Sequence, residues 1–192
     1  MNEDDPIEEK LAAMAQPLGA KQLYESRTIL IMGEISSMVA ERVTSQLLTL
    51  SAQSVEPIRV FIHSQGGHVE AGDTIHDVIR FVEPEVRILG SGWVASAGAL
   101  IYCSVPRERR FSLPNTRFML HQPLGGVGGQ ASDVEIEARQ ILILRERLNR
   151  LFAAATGQPY EKIVRDTDRN YWLTAEEAQA YGLVRKIEQA AR

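Results

Sequence analysis

Apolar and polar positions along the chain alternate between two patterns. Short, mostly apolar runs are each followed by a longer segment in which apolar residues recur every three or four positions, the spacing of one helix face. The first such helical repeat is Val39, Val43, Leu47 and Leu50. The apolar runs predict strands, and the first three are TILIMGEI (28–35), RVFIHS (59–64) and EVRIL (85–89). Strands that alternate with helices predict right-handed βαβ units and an α/β fold.

Pairs of glycines lie between the predicted strands and the helices that follow them. Gly66 and Gly67 predict a turn after the second strand, and Gly90 and Gly92 predict a turn between the third strand and the helical segment ASAGALIYC. The basic cluster PRERR (106–110) predicts a solvent-exposed turn. The last predicted elements are the strand RFMLHQ (117–122), a helix from the capping box Thr174–Glu177 to Gly182, and the strand LVRKI (183–187).

One predicted helix is much longer than the others. Ser132 with Glu135 predicts a capping box, and Gly157 predicts the C-terminal end, so the helix spans Asp133–Thr156, about 36 Å. Two of its faces are apolar, and a helix of this kind usually packs on more than one partner. The main stripe is Val134, Ile141, Leu144, Leu148, Leu151 and Ala155, and the second face is Ile136, Leu142 and Ile143. We therefore expect a contact between subunits along this helix.

Length, composition and charge exclude several classes of protein for this chain. The 192 residues fit one folded domain, and a net charge of −4 gives no electrostatic footprint for nucleic acid. The longest apolar stretch, residues 93–105, is too short to span a bilayer, and the acidic start MNEDDPIEEK does not resemble an export signal. These features predict a cytoplasmic protein with no membrane contact and a mobile arm at residues 1–20. The single cysteine, Cys103, has the apolar neighbours of a buried structural thiol.

Ser96 is the first candidate catalytic residue. Its hydroxyl lies at the start of a predicted helix, where it could cap backbone N–H groups and do nothing more. However, its neighbours in GSGWVASAGAL are small, which lets a substrate backbone approach and leaves N–H groups facing a developing negative charge. The N–H of Ala97 and an N–H from the Gly66–Gly67 pair would supply two donors. The segment therefore predicts either a helix cap or a nucleophile with an oxyanion hole.

A nucleophilic serine needs a base, and the chain has four histidines. His121 follows a predicted strand at the end where α/β proteins place their ligand sites, so it is the best candidate. His63, His68 and His76 fit ordinary core or surface positions equally well. None of them has a metal-binding spacing such as HExxH, and we expect no metal site.

Three segments together resemble one family. GWVASAGA is similar to the nucleophile motif, FMLHQPLGG to the histidine motif and HSQGGHVEAG to the oxyanion-loop motif of the Clp protease proteolytic subunit, the serine peptidase ClpP. The likeness runs from about Tyr24 to Ile187. It implies a ClpP/crotonase-like βαβ spiral at residues 21–192 with a projecting handle at about 125–157. It also implies two stacked seven-subunit rings, polypeptide substrates and an AAA+ unfoldase partner that uses the ATP, with no cofactor in this chain.

The resemblance also implies roles for individual residues. Ser96 is matched to the nucleophile, His121 to the general base, Gly67 and Ala97 to the oxyanion hole, and Asp168 and Arg169 to a ring–ring contact. The position of the family's catalytic aspartate is occupied by Asn170. An asparagine whose oxygen faces His121 would leave a weak peptidase, whereas one whose NH₂ faces it would spoil the base. Alternatively, Asp166 or Asp168 would share a side with Asn170 in an extended segment and replace the missing carboxylate.

Two further departures concern partners. The family's N-terminal gate segment has no recognisable counterpart in residues 1–21. In IRVFIHS, Arg59 replaces an aromatic expected in the family's docking pocket, although Phe61 keeps an aromatic nearby. Because an arginine in an apolar pocket costs desolvation energy, we expect weak binding of the unfoldase by homomers.

Three other functions compete with the peptidase. The G-x-G-x-x-A pattern in ILGSGWVASAG imitates a dinucleotide-binding fingerprint, but residues 109–118 lack the acidic residue that would hold the ribose. A crotonase-like acyl-CoA enzyme would share the fold without needing Ser96 and His121. A degenerate subunit that assembles with an active paralogue and shapes the chamber or gate would explain Asn170.

Overall fold

The computed structural model describes residues 19–123, 125 and 128–189. The predicted arm lies outside the described residues except for residues 19 and 20, which belong to a helical run at 19–25. The strands are β1 (Thr28–Ile35), β2 (Ile58–Gly67), β3 (Val86–Ala95), β4 (Arg110–Ser112), β5 (Arg117–Leu120), β6 (Tyr171–Leu173) and β7 (Lys186–Ile187). The helices are α1 (Ser37–Gln53), α2 (Val69–Phe81), α3 (Ala97–Tyr102), α4 (Ala131–Thr156), α5 (Tyr160–Asp166) and α6 (Ala175–Tyr181).

The sheet is mostly parallel, with the strand order β1-β2-β3-β4-β7. β3 is long enough to serve two partners: residues 88–90 pair with β4, and residues 93–95 pair with β5. β6 then joins β5 in the antiparallel sense. This arrangement confirms the predicted α/β class, and it brings the ends of β3 and β5 together with the start of β6.

The core lies between this sheet and the helices. The helical repeat predicted for α1 faces it, because Val43, Leu47 and Leu50 are buried, while Val39 at the helix start is half-buried. Ser36 caps α1 through its side chain, which accepts a hydrogen bond from the N–H of Val39. Cys103 is buried as predicted, but its surroundings are not purely apolar, because the Arg110 guanidinium lies 3.8 Å from its sulfur. Its thiol is buried, and that burial raises its pKa.

The glycine turns predicted after β2 and β3 are wrong. β2 continues through Gly66 and Gly67, and β3 continues through Gly90 and Gly92. Gly66, Gly67 and Gly92 have positive φ angles of 100°, 146° and 57°, and the register of the β1–β2 and β2–β3 pairs shifts nearby. The glycines are thus irregularities within strands, as glycines in strand interiors often are. The dinucleotide fingerprint fails for the same reason, since its glycines must form a strand-to-helix turn.

The long helix α4 begins two residues earlier than predicted, at Ala131, and its N-cap is Gln130. The predicted Ser132–Glu135 capping box is therefore wrong, because Ser132 lies inside the helix and Glu135 pairs with Arg139 instead. The predicted C-terminal end is confirmed, as Gly157 is left-handed with φ 74°. The first turns of α4 are exposed, and the whole second face stays exposed in the single chain: Ile136 57%, Leu142 61% and Ile143 54%.

The PRERR cluster is more than a solvated turn. Arg110, its last residue, is only 1% exposed and begins β4. Its guanidinium donates to the carbonyl oxygen of Ala155 at 2.5 Å, near the C-terminal end of α4, where a cation complements the helix dipole. Sequence pattern could not show this contact, because it joins residues that lie far apart in the chain.

The C-terminal region follows the prediction more closely. Both hydrogen bonds of the Thr174–Glu177 capping box are present, and Gly182 ends α6 with φ 95°. The last strand is shorter than predicted, since only Lys186 and Ile187 pair with β4. No helix among the described residues is both long and apolar enough to cross a membrane.

Candidate active site

Ser96 lies at the junction between β3 and α3. It has a positive φ of 56° with ψ −122°, one of two non-glycine residues with positive φ in the described chain. Such a backbone conformation costs about 1–3 kcal/mol of folding free energy, and it persists only where the surrounding structure holds it in place. Its side chain makes no capping hydrogen bond to α3, so the helix-cap interpretation is wrong. Instead, its Oγ lies 2.7 Å from Nε2 of His121.

Strand pairing brings these two residues together. Ala95 pairs with Met119 in the β3–β5 ladder, and the Ser96 N–H donates to the Met119 carbonyl at 2.9 Å. His121 follows the last residue of β5 and therefore reaches the serine from the adjacent strand. The sequence expectation that a strand end would deliver His121 to the site agrees with this placement.

The environment of His121 favours a neutral imidazole. Partial burial lowers its pKa, and a smaller, opposing contribution comes from the side chain of Asn170. The Asn170 side chain therefore lies near the imidazole of His121. A neutral imidazole with its proton on Nδ1 leaves Nε2 free to accept the serine proton. The structure thus pairs Ser96 with a histidine that has an asparagine, rather than a carboxylate, near it.

Of the glycine pair of β2, Gly66 lies directly against Ser96, whereas Gly67 lies against β1. A Cβ on Gly66 would lie 2.5 Å from the Cβ of Ser96 and 3.0 Å from its Oγ, so only glycine fits. A Cβ on Gly67 would collide with the backbone of Ile35. Ala97 is the first residue of α3, and its N–H has no acceptor within the helix. The structure thus brings Gly66 into contact with Ser96 and leaves an N–H of α3 beside it.

A small apolar cavity adjoins the two reactive side chains. Its walls come from α2, α3, α4 and the segment after β5, and the residues besides Ser96 and His121 are Val69, Ala97, Leu100, Pro123, Leu148 and Phe152. Sequence reasoning missed this cavity. It placed Leu148 on an apolar stripe of α4, but periodicity alone does not say which neighbour that stripe meets.

Neither of the two aspartates proposed as substitutes for the missing carboxylate is free. Asp166 ends helix α5 rather than lying in an extended segment, and its Oδ2 accepts from Lys162 and from the Tyr181 hydroxyl at 2.6 Å. Asp168 lies 3.6 Å from Arg145 of α4, and its carbonyl oxygen accepts from Gln122 at 2.7 Å. The substitution hypothesis is therefore not supported, and Asn170 keeps its place beside His121.

The remaining histidines lie apart from this site. Nδ1 of His63 accepts the Trp93 N–H at 3.1 Å. His68 lies 3.3 Å from Glu70, and His76 lies 2.8 Å from its neighbour Asp77. Across residues 19–123, 125 and 128–189, no three His, Cys, Asp or Glu side chains are grouped as metal ligands would be.

Arg59 and Phe61 share a second cavity, of about 230 Å³, on the far part of the sheet. The rest of its wall includes Arg87, Leu89, Phe111 and Glu188, so a mainly apolar lining carries three charged side chains. The Arg59 guanidinium donates to the carbonyl oxygen of Ser26 at 3.1 Å. The N-terminal segment that was expected to differ from the family lies almost wholly outside the described residues.

Comparison with known proteins shows which family the chain resembles along its length. The Clp protease family profile matches residues 15–191. The ATP-dependent Clp protease proteolytic subunit 3 of Rhizobium meliloti is 57% identical, covering 97% of this chain and 96% of the relative. Subunit 2 from Pseudomonas aeruginosa is 53% identical, covering 88% of this chain and 86% of the relative.

Solved structures give the same result. ClpP1 from Listeria monocytogenes superposes with a TM-score of 0.81 at 55% identity, over 90% of this chain and 96% of that one. An Asn→Asp mutant of the same protein superposes with a TM-score of 0.83, over 88% and 95%. The ClpP fold, the matched family profile and the relatives' identities together show that this chain belongs to the Clp protease family.

Proposed function

We propose that this chain is a serine endopeptidase subunit of a Clp-type protease, working through an acyl-enzyme and slow on its own because its third catalytic residue is Asn170. The 2.7 Å contact between Ser96 Oγ and His121 Nε2 carries the proposal, since a serine becomes a useful nucleophile only beside a base. The strained backbone of Ser96 supports it, because such strain collects at functional sites.

The reaction follows from these positions. His121 Nε2 takes the proton of Ser96 as Oγ attacks the peptide carbonyl carbon, and the N–H groups of Gly67 and Ala97 bind the resulting oxyanion. The C–N bond then breaks, and the amine leaves with the proton held by His121. Water attacks the ester on Ser96 and gives its proton to Nε2, which returns it to Oγ as the acid product leaves.

Asn170 limits the rate of this cycle. An amide oxygen fixes the useful tautomer of His121, but it carries no charge to stabilise the imidazolium that forms in each transition state. In a trypsin-type triad the Asp-to-Asn change costs about 10⁴ in kcat, whereas papain-like enzymes work with an asparagine. We place this site between those two cases.

Substrate and partners follow the proposed role. The side chains that line the small cavity beside Ser96 and His121 are apolar, so the expected substrates are polypeptides with an apolar residue next to the cleaved bond. We propose assembly into stacked seven-subunit rings, with Asp168 and Arg169 at the ring–ring contact. An AAA+ unfoldase would bind weakly to homomers, since Arg59, Arg87 and Glu188 place charged groups in the lining of a mainly apolar cavity.

One observation favours a second function. Because Asn170 lacks the charge of a catalytic aspartate, this chain would also serve as a nearly inactive subunit that completes a ring with an active paralogue. Mixing purified chain with such a paralogue separates the two cases. Reaction of Ser96 with a fluorophosphonate, in the unmixed protein or in the mixed rings, supports the peptidase, whereas a Ser96 that stays unreactive in mixed rings supports the second function.

Peptide hydrolysis tests the main proposal. We expect measurable turnover by the wild type, none by Ser96→Ala, and an increase of at least about tenfold in kcat for Asn170→Asp. If the aspartate variant gained nothing while Ser96→Ala abolished turnover, Asn170 would not be the limiting residue. If Ser96→Ala kept the wild-type rate, the proposed mechanism would be wrong.

A further inference from the structure

Both tryptophans of the chain lie in one exposed cluster on the sheet. The rings of Trp93 and Trp172 are 5.9 Å apart between centroids, and the Arg117 guanidinium lies 4.4 Å from the centroid of the Trp172 ring. The side chains are part of the surface, with Trp93 39% and Trp172 37% exposed. We call these three residues the tryptophan patch.

Strand register places the patch on one face. Trp93 of β3 pairs with Arg117 of β5, and Trp172 of β6 pairs with Met119, two residues farther along β5. Neighbouring paired residues and alternate residues of a strand share a face of the sheet. The residues between them, Val94 and Phe118, are fully buried on the opposite face. The patch is therefore an outward surface built by three strands.

The same three strands also carry the reactive residues. Trp93 precedes Ser96 by three positions, a distance of about 10 Å along a strand. Trp172 follows Asn170 by two positions, and its partner Met119 precedes His121 by two. The patch thus lies two or three residues from the candidate active site along the same strands, with the buried Ala95 and Met119 between them, a span that an extended peptide of three residues covers.

The residues of the tryptophan patch are of types that bind large side chains. Aromatic residues and arginine are the types that contribute most to binding surfaces, and both are held in place here by the tilted ring–ring contact and the cation–π contact. Arg117 makes no ion pair with a carboxylate within the described part of the chain. The surface continues over exposed His63 to Met32, which pair across β1 and β2, and Met32 is 44% exposed.

We infer that the tryptophan patch is a second substrate subsite, which binds an aromatic or large aliphatic side chain of an extended polypeptide about three residues from the cleaved bond. This inference rests on the proposed peptidase function, because that function supplies the polypeptide that would occupy the patch. It assigns a selectivity for a residue some distance from the cleaved bond, in addition to any selectivity for the residue beside Ser96 and His121.

Intrinsic fluorescence reports on the patch directly, since both tryptophans of the chain belong to it. The Ser96→Ala variant is titrated with paired peptides that differ only in Phe or Gly three residues from the cleavage point, on either side in two series. We expect a saturable fluorescence change with the Phe peptide of one series, at a concentration about tenfold lower than with the Gly peptide. A change that depended on protein concentration instead of peptide would show that a second copy covers the patch, and would overturn the inference.

Kinetics gives the second measurement. In the wild type, kcat/KM should favour the Phe peptide by about tenfold, and this ratio should fall towards one in Trp93→Ala and Trp172→Ala. Trp93→Phe should retain most of the preference, and the control Val55→Ala, at an exposed apolar residue elsewhere, should leave it unchanged. Loss of overall rate with an unchanged ratio would contradict the subsite.

The experiments distinguish failure of the peptidase proposal from failure of the subsite proposal. Fluorescence binding by Ser96→Ala without any turnover in the wild type would leave the patch as a peptide site and remove the peptidase. Turnover that requires Ser96, with no fluorescence change and no Phe preference, would leave the peptidase and remove the subsite.

Discussion

At the scale of single residues, the site depends on how charge is distributed around His121. Burial lowers the pKa of His121, and Asn170 opposes this only weakly because it is neutral. The base must be neutral to accept the Ser96 proton, so activity falls as the pH drops through the His121 pKa. A low pKa keeps the base available in mildly acidic solution, but it also means that the imidazolium formed in catalysis is poorly stabilised.

Asn170→Asp should change both properties in a linked way. The carboxylate would stabilise the imidazolium, raise the His121 pKa, and move the acid limb of the kcat/KM profile to higher pH while the plateau rises. Asn170→Ala is the control, and it should lower the plateau and move the acid limb slightly to lower pH. A rise in rate with no movement of the acid limb would show that the aspartate acts other than through His121.

Gly66 gives a test of local fit. Gly66→Ala places a methyl group 2.5 Å from the Ser96 Cβ, so we expect loss of most peptidase activity and of fluorophosphonate reaction. Gly33→Ala is the matched control, because Gly33 also has a positive φ, 78°, but has open space around its Cβ position. Both should lose about 1 kcal/mol of stability from backbone strain. Equal loss of labelling in both variants would mean that strain, rather than the contact with Ser96, is responsible.

At the scale of elements, a buried hydrogen-bond chain connects α4 with the site. Thr167, fully buried after α5, donates its hydroxyl to Oδ1 of Asn149 on α4 at 2.8 Å. The Thr167 carbonyl accepts the N–H of Gln122 at 2.7 Å, next to His121. Two hydrogen bonds thus link α4 through Thr167 to Gln122, the residue next to His121.

Thr167→Val tests that connection. It keeps the shape but leaves the buried Asn149 oxygen without its donor, which should cost about 1–3 kcal/mol in denaturant unfolding and lower kcat. Thr49→Val is the control, because it removes a comparable hydroxyl bond to Ser45 on an exposed face of α1, at a cost below about 0.5 kcal/mol. An unchanged kcat in a destabilised Thr167→Val protein would show that the chain does not position the base.

The elements also show what sequence could predict. Periodicity and caps identified β1, the core face of α1 and the C-terminal ends of α4 and α6, since these depend on neighbouring residues. The glycines of β2 and β3 misled the prediction, because the same residue type serves turns and strand bulges. The contact of Gly66 with Ser96, the burial of Arg110 and the cavity beside His121 depend on pairings between distant segments, which local pattern does not contain.

At the scale of the whole molecule, α4 carries an apolar face that the single chain leaves open. Ile136, Leu142 and Ile143 are more than half exposed, as are few large apolar residues elsewhere in the described chain. Such a face indicates a partner, and a second copy of the same helix would bury it. The resemblance to stacked ring proteins leads to the same expectation.

Leu142→Asp should therefore weaken self-association. Sedimentation or size-exclusion measurement should show smaller particles than for the wild type at the same concentration, with the unfolding free energy of the subunit little changed. Val55→Asp, at a residue that is 64% exposed in the turn after α1, is the control and should not alter particle size. The expectation would be wrong if Leu142→Asp assembled as the wild type does.

The central claim concerns one bond, an ester on the Ser96 hydroxyl formed with the help of His121. It is tested most directly by treating the intact protein with a fluorophosphonate and locating the adduct by mass spectrometry of peptides. We predict one adduct, on Ser96, that forms much more slowly in His121→Ala and faster in Asn170→Asp. The account would be contradicted if Ser96 stayed unmodified in every assembly state, or if the adduct formed as fast in His121→Ala as in the wild type.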